Sequence, residues 1–202
     1  MESALQELII QTTDESTVQQ ATEQLQAMLQ DPDVIPALIN LFSQTDQKIV
    51  RTACLVYLHQ IIESNWSSFP EEAKTELKNL VLSLFSEQIE SDHIKMICSI
   101  AGTIYSKELE QWDQLISVIL DSWESNPSIS SQLLVSIIDD FSWEKNDEEF
   151  AQRFLEMDFS FIKSEDTQIQ TAGLRILSSI IGSITDYEEL PSFIEVSNQI
   201  QE

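Results

Sequence analysis

Two closely spaced amphipathic segments constrain the fold of this chain more than any other feature. Apolar residues recur at steps of three and four over residues 49–62 and again over residues 74–82, which is the spacing of one face of an α-helix. Only a short segment around Trp66 separates them, so the chain must reverse tightly between two helices. Small side chains at Ala53 and Cys54 allow the first helix to approach a neighbour closely. The segment therefore predicts a helical hairpin.

The same pattern repeats along the whole chain. The second helices of the pairs start near Ser16, Asp46, Asp92, Asn126 and Asp166, so successive second helices begin 30, 46, 34 and 40 residues apart. This irregular spacing near 40 favours HEAT-type repeats over the stricter tetratricopeptide period of about 34. Because one helix pair cannot bury its apolar stripe alone, neighbouring pairs must stack. We predict an all-α fold, an α-solenoid of about five HEAT repeats plus the first helix of a sixth, forming a right-handed superhelical arch.

Glycines inside the second helices indicate tight stacking. Gly102, Gly173 and Gly182 all lie within predicted second helices, where each costs roughly 1 kcal/mol relative to alanine. Close approach of a neighbouring helix is the compensation that we expect. We interpret residues 1–202 as a single solenoid. Its last residues stay in helical pattern with no polar capping repeat, which solenoids normally need, so we expect an N-terminal piece of a longer protein.

Composition narrows the classes of function. The formal net charge of −25 argues against nucleic-acid binding, which needs clustered lysine and arginine. It favours either basic partners attracted by a negative field or simply acidic, solvated helix faces, and composition leaves both open. The sequence has no run of about 18 apolar residues that would span a membrane, and its start lacks the basic region of a secretory signal.

Residues that could carry catalysis are few and scattered. Cys54 and Cys98 stand alone in apolar helical runs, which indicates free buried thiols in a reducing compartment. The two histidines, His59 and His93, form no zinc-binding motif, and the three glycines form no phosphate loop. Cys54 and His59 are five residues apart on one helix, so they point apart and do not favour a thiol–imidazole pair. We expect no catalytic residues, no metal and no cofactor.

The hairpin also carries a specific resemblance. Arg51 opens its first helix, Trp66 follows fifteen residues later, and Lys74, Leu77 and Lys78 come at fixed offsets. This pattern resembles the N-terminal domain of importin-β-type transport receptors, the karyopherins. Further segments resemble the importin-four subgroup of that family, namely residues 21–26, 36–38, 104–108 and 112–115. The resemblance extends over nearly the whole chain, and its importin-β-like part covers about residues 20–107.

The resemblance implies a role in nuclear transport. In these receptors the second helices of the first three repeats line the concave surface and grip Ran in its GTP form. Here those helices are residues 16–29, 47–64 and 92–107. The residues implied for Ran binding are Gln20, Gln24, His59, Gln60 and Glu63. His59 and Gln60 stand where family members often have lysine and asparagine, so donors remain but a fixed positive charge is lost. The alternative for these two residues is a solvated helix face.

The resemblance also implies partners and a location. These are Ran-GTP, basic cargo such as histones and ribosomal proteins, and Phe-Gly nucleoporins, the last mostly through repeats beyond this chain. Neither direct nucleic-acid binding nor membrane binding is expected, and the implied location is the cytoplasm, the nucleus and the nuclear pore. Three alternatives stay open: a HEAT-repeat scaffold with no Ran role, an acidic chaperone that shields basic proteins, and an export receptor.

The four tryptophans have two interpretations. They are Trp66, Trp112, Trp123 and Trp143. A tryptophan near a helix end usually packs its ring over the adjoining turn, with its N–H group hydrogen-bonded or in water. We expect this packing for each of the four, and the alternative is an exposed aromatic pocket for Phe-Gly repeats.

Overall fold

The structure is a computed structural model that describes residues 1–31, 33–83, 91–108, 112–141 and 148–183. Within these ranges the regular elements are helices and there is no strand, so the predicted all-α class is confirmed. Short 3₁₀ turns follow the fourth and the eighth α-helix. The helices of the described residues are α1 Glu2–Gln11, α2 Val18–Met28, α3 Val34–Gln44, α4 Lys48–Asn65, α5 Glu71–Ser83, α6 Ser91–Glu108, α7 Asp113–Ser122, α8 Pro127–Ile137, α9 Glu148–Ile162 and α10 Thr167–Ser183.

Consecutive helices pack as pairs, as the periodicity predicted. α1 contacts α2, α3 contacts α4, α7 contacts α8, and α9 contacts α10. Like helices also stack on one another: α1 on α3, α3 on α5, α7 on α9, and α8 on α10. Pairing of consecutive helices combined with stacking of like helices is the arrangement of HEAT-like repeats. The further helix predicted to start at Leu190 and Pro191 lies outside the described residues.

The contacts divide the chain into two compact units, and the first is Met1–Lys107. The residues at its core come from the apolar stripes of five helices and are almost fully buried: Leu5, Leu25, Leu38, Leu58 and Leu77. Complete burial of one such leucine stabilises the fold by about 1.5–3 kcal/mol. Because the apolar residues recur at helical spacing, the opposite face of a helix such as α2 remains polar and exposed.

The predicted hairpin is formed by α4 and α5. A 3₁₀ turn at Trp66–Ser68 follows α4, and Phe69 continues in extended conformation towards α5. The Trp66 ring is buried and meets Phe69 edge to face, with ring centroids 5.7 Å apart. The Lys74 ammonium lies 5.7 Å from the centroid of the Trp66 ring, within the range of a cation–π contact. Trp66 therefore packs over the turn, as predicted.

The second unit is Glu108–Glu202, and its described helices are α7 to α10. Its buried core includes large apolar side chains from three helices: Leu133, Phe154, Phe161 and Ile176. The N-terminus of α10 has the predicted cap, since Asp166 Oδ1 accepts a hydrogen bond of 2.8 Å from the backbone N–H of Gln168. This bond satisfies one of the N–H groups that lack an intrahelical partner. Trp143 and the charged loop around it lie outside the described residues.

Two glycines of α10 have opposite environments. A Cβ atom added at Gly173 would lie 2.9 Å from both the backbone nitrogen and Cγ1 of Ile162. Only glycine therefore allows α10 to approach α9 so closely, and the predicted close packing is confirmed here. Among the described residues a Cβ atom added at Gly182 would meet nothing within 4 Å, and Gly182 is exposed, so the same prediction was wrong for Gly182 within that part of the chain. Gly102 is buried in α6, and its close approach to a neighbouring helix stays a prediction.

Candidate protein-binding surface

Two histidines connect α4 to α6 within the first unit. His59 Nε2 lies 3.0 Å from Thr103 Oγ1 and 3.5 Å from Ser99 Oγ. Nearer the start of both helices, His93 Nε2 lies 3.1 Å from Thr52 Oγ1. These bonds hold the second helix of the second pair beside the second helix of the third pair. The exposed faces of α4 and α6 thus form one surface.

The direction of these hydrogen bonds follows from the threonine hydroxyl groups. Thr103 Oγ1 donates to the backbone carbonyl of Ser99 at 3.0 Å, and Thr52 Oγ1 donates to the carbonyl of Lys48 at 2.9 Å. A hydroxyl group has one hydrogen, so each threonine oxygen accepts from the imidazole, and the neutral rings carry their proton on Nε2. Sequence reasoning missed these pairs, because their members lie 41 and 44 residues apart.

Four of the five residues predicted to bind Ran are exposed, and their side chains have no polar partner among the described residues. Gln20 and Gln24 are four residues apart and share one face of α2, while Gln60 and Glu63 are exposed on α4. None of these four side chains makes a hydrogen bond or an ion pair with the described residues. His59 differs, because it is half-buried and its Nε2 already donates to α6. The structure thus gathers three of the five on α4 and leaves two apart on α2.

Two further residues of the hairpin pattern, Arg51 and Leu77, pack inside the first unit. The guanidinium carbon of Arg51 lies 4.7 Å from the centroid of the Phe42 ring on α3. Phe42 in turn meets the buried His93 ring edge to face, with centroids 6.1 Å apart. Leu77 is completely buried. Arg51 therefore connects α4 to α3, Phe42 connects α3 to α6, and Leu77 belongs to the buried core.

The described residues show no arrangement for catalysis. Cys54 and Cys98 are free and buried, as predicted, and burial raises the pKa of each thiol to about 12. A thiol with such a pKa is a poor nucleophile near neutral pH. In the part of the chain that the structure covers, no group of three or more His, Cys, Asp or Glu side chains could hold a metal ion. None of the described helices combines the length and the apolarity that a membrane span needs.

One ionisable residue was missed at the sequence level. Asp158 of α9 is completely buried, and neither carboxylate oxygen has a hydrogen-bond partner among the described residues. Desolvation raises the pKa of Asp158 to about 8, because burial disfavours the charged form. The position of Asp158 in the sequence could have indicated that it is buried. It lies four residues after Phe154 and three before Phe161, in the middle of an apolar stripe.

The fold and the surface first define a class. The chain is an all-α protein of stacked HEAT-like helix pairs. The second helices α2 and α4 present polar side chains that have no partner among the described residues, and such a surface is suited to the recognition of other proteins. Comparison with known proteins then gives the relatives. Residues 21–87 match the importin-beta N-terminal domain. The chain is 28% identical to importin-4 of Mus musculus over 142 residues, which are 68% of this chain and 13% of that protein.

A second relative supports the same conclusion. The chain is 30% identical to importin-4 of Homo sapiens over 117 residues, which are 57% of this chain and 11% of that protein. The resemblance to importin-β-type receptors is therefore confirmed, with importin-4 as the similar subgroup, and the matched domain lies within the predicted region of residues 20–107. The chain spans about one eighth of the length of these curated relatives. No solved structure matches it significantly.

Proposed function

We propose that this chain is part of an importin-β-type nuclear import receptor that carries basic cargo. The observation that carries the proposal is the importin-beta N-terminal domain at residues 21–87. The chain acts by binding, not by catalysis. In the cytoplasm the acidic receptor binds basic proteins such as histones or ribosomal proteins, to which its negative field is complementary. In the nucleus Ran-GTP binds the N-terminal repeats and displaces the cargo. Passage through the pore depends on Phe-Gly nucleoporins, which bind mostly to repeats outside this chain.

Within this function, Ran-GTP binds to the exposed side chains of α2 and α4. Gln20, Gln24 and Gln60 each offer an amide that donates and accepts hydrogen bonds, and Glu63 offers an acceptor for a basic side chain. Support comes from their exposure and from the absence of partners for them within the described residues. His59 acts as a positioning residue, because its bond to Thr103 holds α4 against α6.

Calorimetric titration of the chain with Ran tests this function. We expect binding of Ran loaded with a non-hydrolysable GTP analogue and no binding of Ran-GDP. Neutral hydrogen bonds contribute about 0.5–1.5 kcal/mol each, so removing two weakens binding roughly tenfold. We expect that loss both for Gln20→Ala with Gln24→Ala and for Gln60→Ala with Glu63→Ala. Gln114→Ala is the matched control, because Gln114 is an exposed glutamine on α7, outside the matched domain.

The alternatives predict different results in the same experiment. A scaffold binds neither nucleotide form of Ran. An acidic chaperone binds histones in a salt-sensitive manner, and Ran-GTP does not release them. An export receptor binds its cargo more tightly in the presence of Ran-GTP, whereas an import receptor releases it. Failure of Ran-GTP to bind the wild-type chain would refute the proposal.

A further inference from the structure

The second unit has two adjoining cavities on its surface. The larger, of about 490 Å³, is lined by the α7–α8 turn, the end of α9 and the start of α10. The smaller, of about 310 Å³, is lined by the end of α7 and the middle of α9. Trp123, Glu124 and Glu156 line both cavities, so the two form one depression, named here the Trp123 groove. Each volume lies within the range of about 300–1,000 Å³ that is typical of ligand clefts.

One wall of the Trp123 groove is aromatic and apolar. The half-buried Trp123 ring meets Phe161 edge to face, with ring centroids 6.3 Å apart. Pro127, Phe159 and Ile169 complete the apolar wall of the larger cavity. Tryptophan is the aromatic side chain that attracts a cation most strongly. Because Phe161 supports the ring, Trp123 can receive a ligand without a large rearrangement.

The charged residues that line the Trp123 groove are three acids and two bases, so the lining has a net negative charge. Glu124 and Glu156 are exposed, and neither has a cationic partner in the part of the chain that the structure describes. Glu156 accepts one hydrogen bond of 3.0 Å, from the neutral Gln152 side chain. The third acid, Asp121, is already paired with Arg153 at 2.9 Å. Two carboxylates that line both cavities together with Trp123 are therefore not engaged in an ion pair within the described residues.

The surrounding charge has the same sign. Residues 108–202 hold 20 of the 35 acidic residues of the chain and four of its ten basic ones. Lys163 lines only the larger cavity and Arg153 only the smaller one, so the stretch that the two cavities share carries only Trp123 and the two glutamates. The net negative charge of this unit attracts a cation at long range, and the stretch shared by the two cavities accommodates it best.

We propose that the Trp123 groove binds a segment of a basic protein, with one lysine or arginine side chain over Trp123 and its charge between Glu124 and Glu156. The apolar stem of that side chain packs along the ring while the charged end meets the carboxylates. A neighbouring apolar residue of the segment fills the wall formed by Pro127 and Phe159. A Phe-Gly segment would use that wall alone and leave both carboxylates unused, so the charges favour the basic occupant. This inference rests on the proposed function, for which it names a cargo contact.

Fluorescence anisotropy with a labelled peptide of about twelve residues tests the proposal. The probe contains lysine, arginine, glycine and one leucine, and its neutral counterpart carries acetyl-lysine and citrulline in place of the basic residues. We expect the neutral peptide to bind at least tenfold more weakly, because it lacks the charge that the groove recognises. We expect Glu124→Gln and Glu156→Gln to weaken binding about fivefold each and Trp123→Ala about tenfold. Trp123→Phe keeps the packing against Phe161 and is expected to lose less affinity.

Glu165→Gln is the matched control. Glu165 is exposed in the α9–α10 turn and lines neither cavity, yet the substitution changes the net charge by the same amount. We expect an effect below about twofold. An equal effect of Glu165→Gln and Glu124→Gln would mean attraction by the general field and would overturn the proposal. A Phe-Gly peptide that binds as tightly as the basic peptide, unaffected by Glu124→Gln, would also overturn it.

Ran-GTP binding, measured on the same variants, separates this inference from the proposed function. The groove variants lie outside the importin-beta N-terminal domain, and we expect them to bind Ran-GTP as the wild type does. Intact Ran-GTP binding together with no specific peptide binding refutes the groove alone. Specific peptide binding by a wild-type chain that does not bind Ran-GTP refutes the transport function alone.

Discussion

The buried carboxyl group of Asp158 is expected to make the stability of the chain depend on pH. Burial without a hydrogen-bond partner raises the pKa of Asp158 from 3.8 to about 8 in the folded state. Between these two values the folded chain holds a proton that the unfolded chain has lost, so the free energy of unfolding falls as pH rises. The stability contributed by the protonated carboxyl is complete below about pH 4 and is lost by about pH 8.

The magnitude follows from the separation of the two pKa values. Each pH unit between 3.8 and 8 lowers the free energy of unfolding by about 1.4 kcal/mol. At pH 7 the loss relative to pH 3.8 is on the order of 4 kcal/mol. Folded domains are stable by about 5–15 kcal/mol, so this is a large fraction of the total. In Asp158→Asn the new side chain has nearly the same shape as the carboxyl group but does not ionise. The stability of this variant therefore lacks the change with pH that Asp158 causes in the wild type.

Urea denaturation of the wild type and Asp158→Asn at pH values from about 4 to 9 tests the expectation. We expect the wild type to lose stability relative to the variant progressively up to about pH 8, with no further change above it. Glu165→Gln is the control, because it removes an exposed carboxylate in the turn after α9. A stability difference between wild type and Asp158→Asn that stays constant over this pH range would refute the reasoning, whatever its absolute value.

Three further predictions concern packing and reactivity. Gly173→Ala is expected to destabilise the chain by about 1–3 kcal/mol through overpacking against α9. Gly182→Ala is expected to stabilise it by up to about 1 kcal/mol, because alanine favours the helix more than glycine does. Equal melting temperatures for the two variants would contradict this expectation. His59→Ala removes the hydrogen bonds that His59 of α4 makes to α6, and it is expected to lower the free energy of unfolding by about 1 kcal/mol. An unchanged midpoint in a denaturant titration would contradict this expectation. Cys54 and Cys98 are expected to react with a thiol reagent at pH 8 only upon unfolding, because burial raises the pKa of both to about 12; rapid labelling of the folded chain would count against it.

Most of the helical architecture could be predicted from local pattern. The steps of three and four between apolar residues predicted helices that the structure places at α1 to α10. The turn at Trp66 and the cap at Asp166 were also predictable, because both depend on residues close in sequence. Pairing followed as well, since an amphipathic helix must bury its stripe against its nearest neighbour. The Ran-binding residues were inferred from the family resemblance and stay a proposal.

Contacts between residues distant in sequence could not be predicted in this way. The bonds from His59 of α4 to α6 and from His93 of α6 to α4 depend on which helices become neighbours, and helical periodicity does not contain that information. The Trp123 groove likewise combines side chains from two helix pairs, and only their packing brings Glu124 beside Glu156. Asp158 was predictable only in part. The sequence shows its place in an apolar stripe, but it does not show that the carboxylate lacks a hydrogen-bond partner among the described residues.

Sequence alone thus determined where in the chain the helices lie to within a few residues, which face of each is apolar, and the sign of the net charge. Each of these properties depends on local spacing or on composition. Only the tertiary structure decided that Gly173 is required while Gly182 is replaceable, although both are glycines in one helix. The physical reason is that backbone propensity acts on each residue separately, whereas close approach depends on the neighbouring helix, here on the position of Ile162.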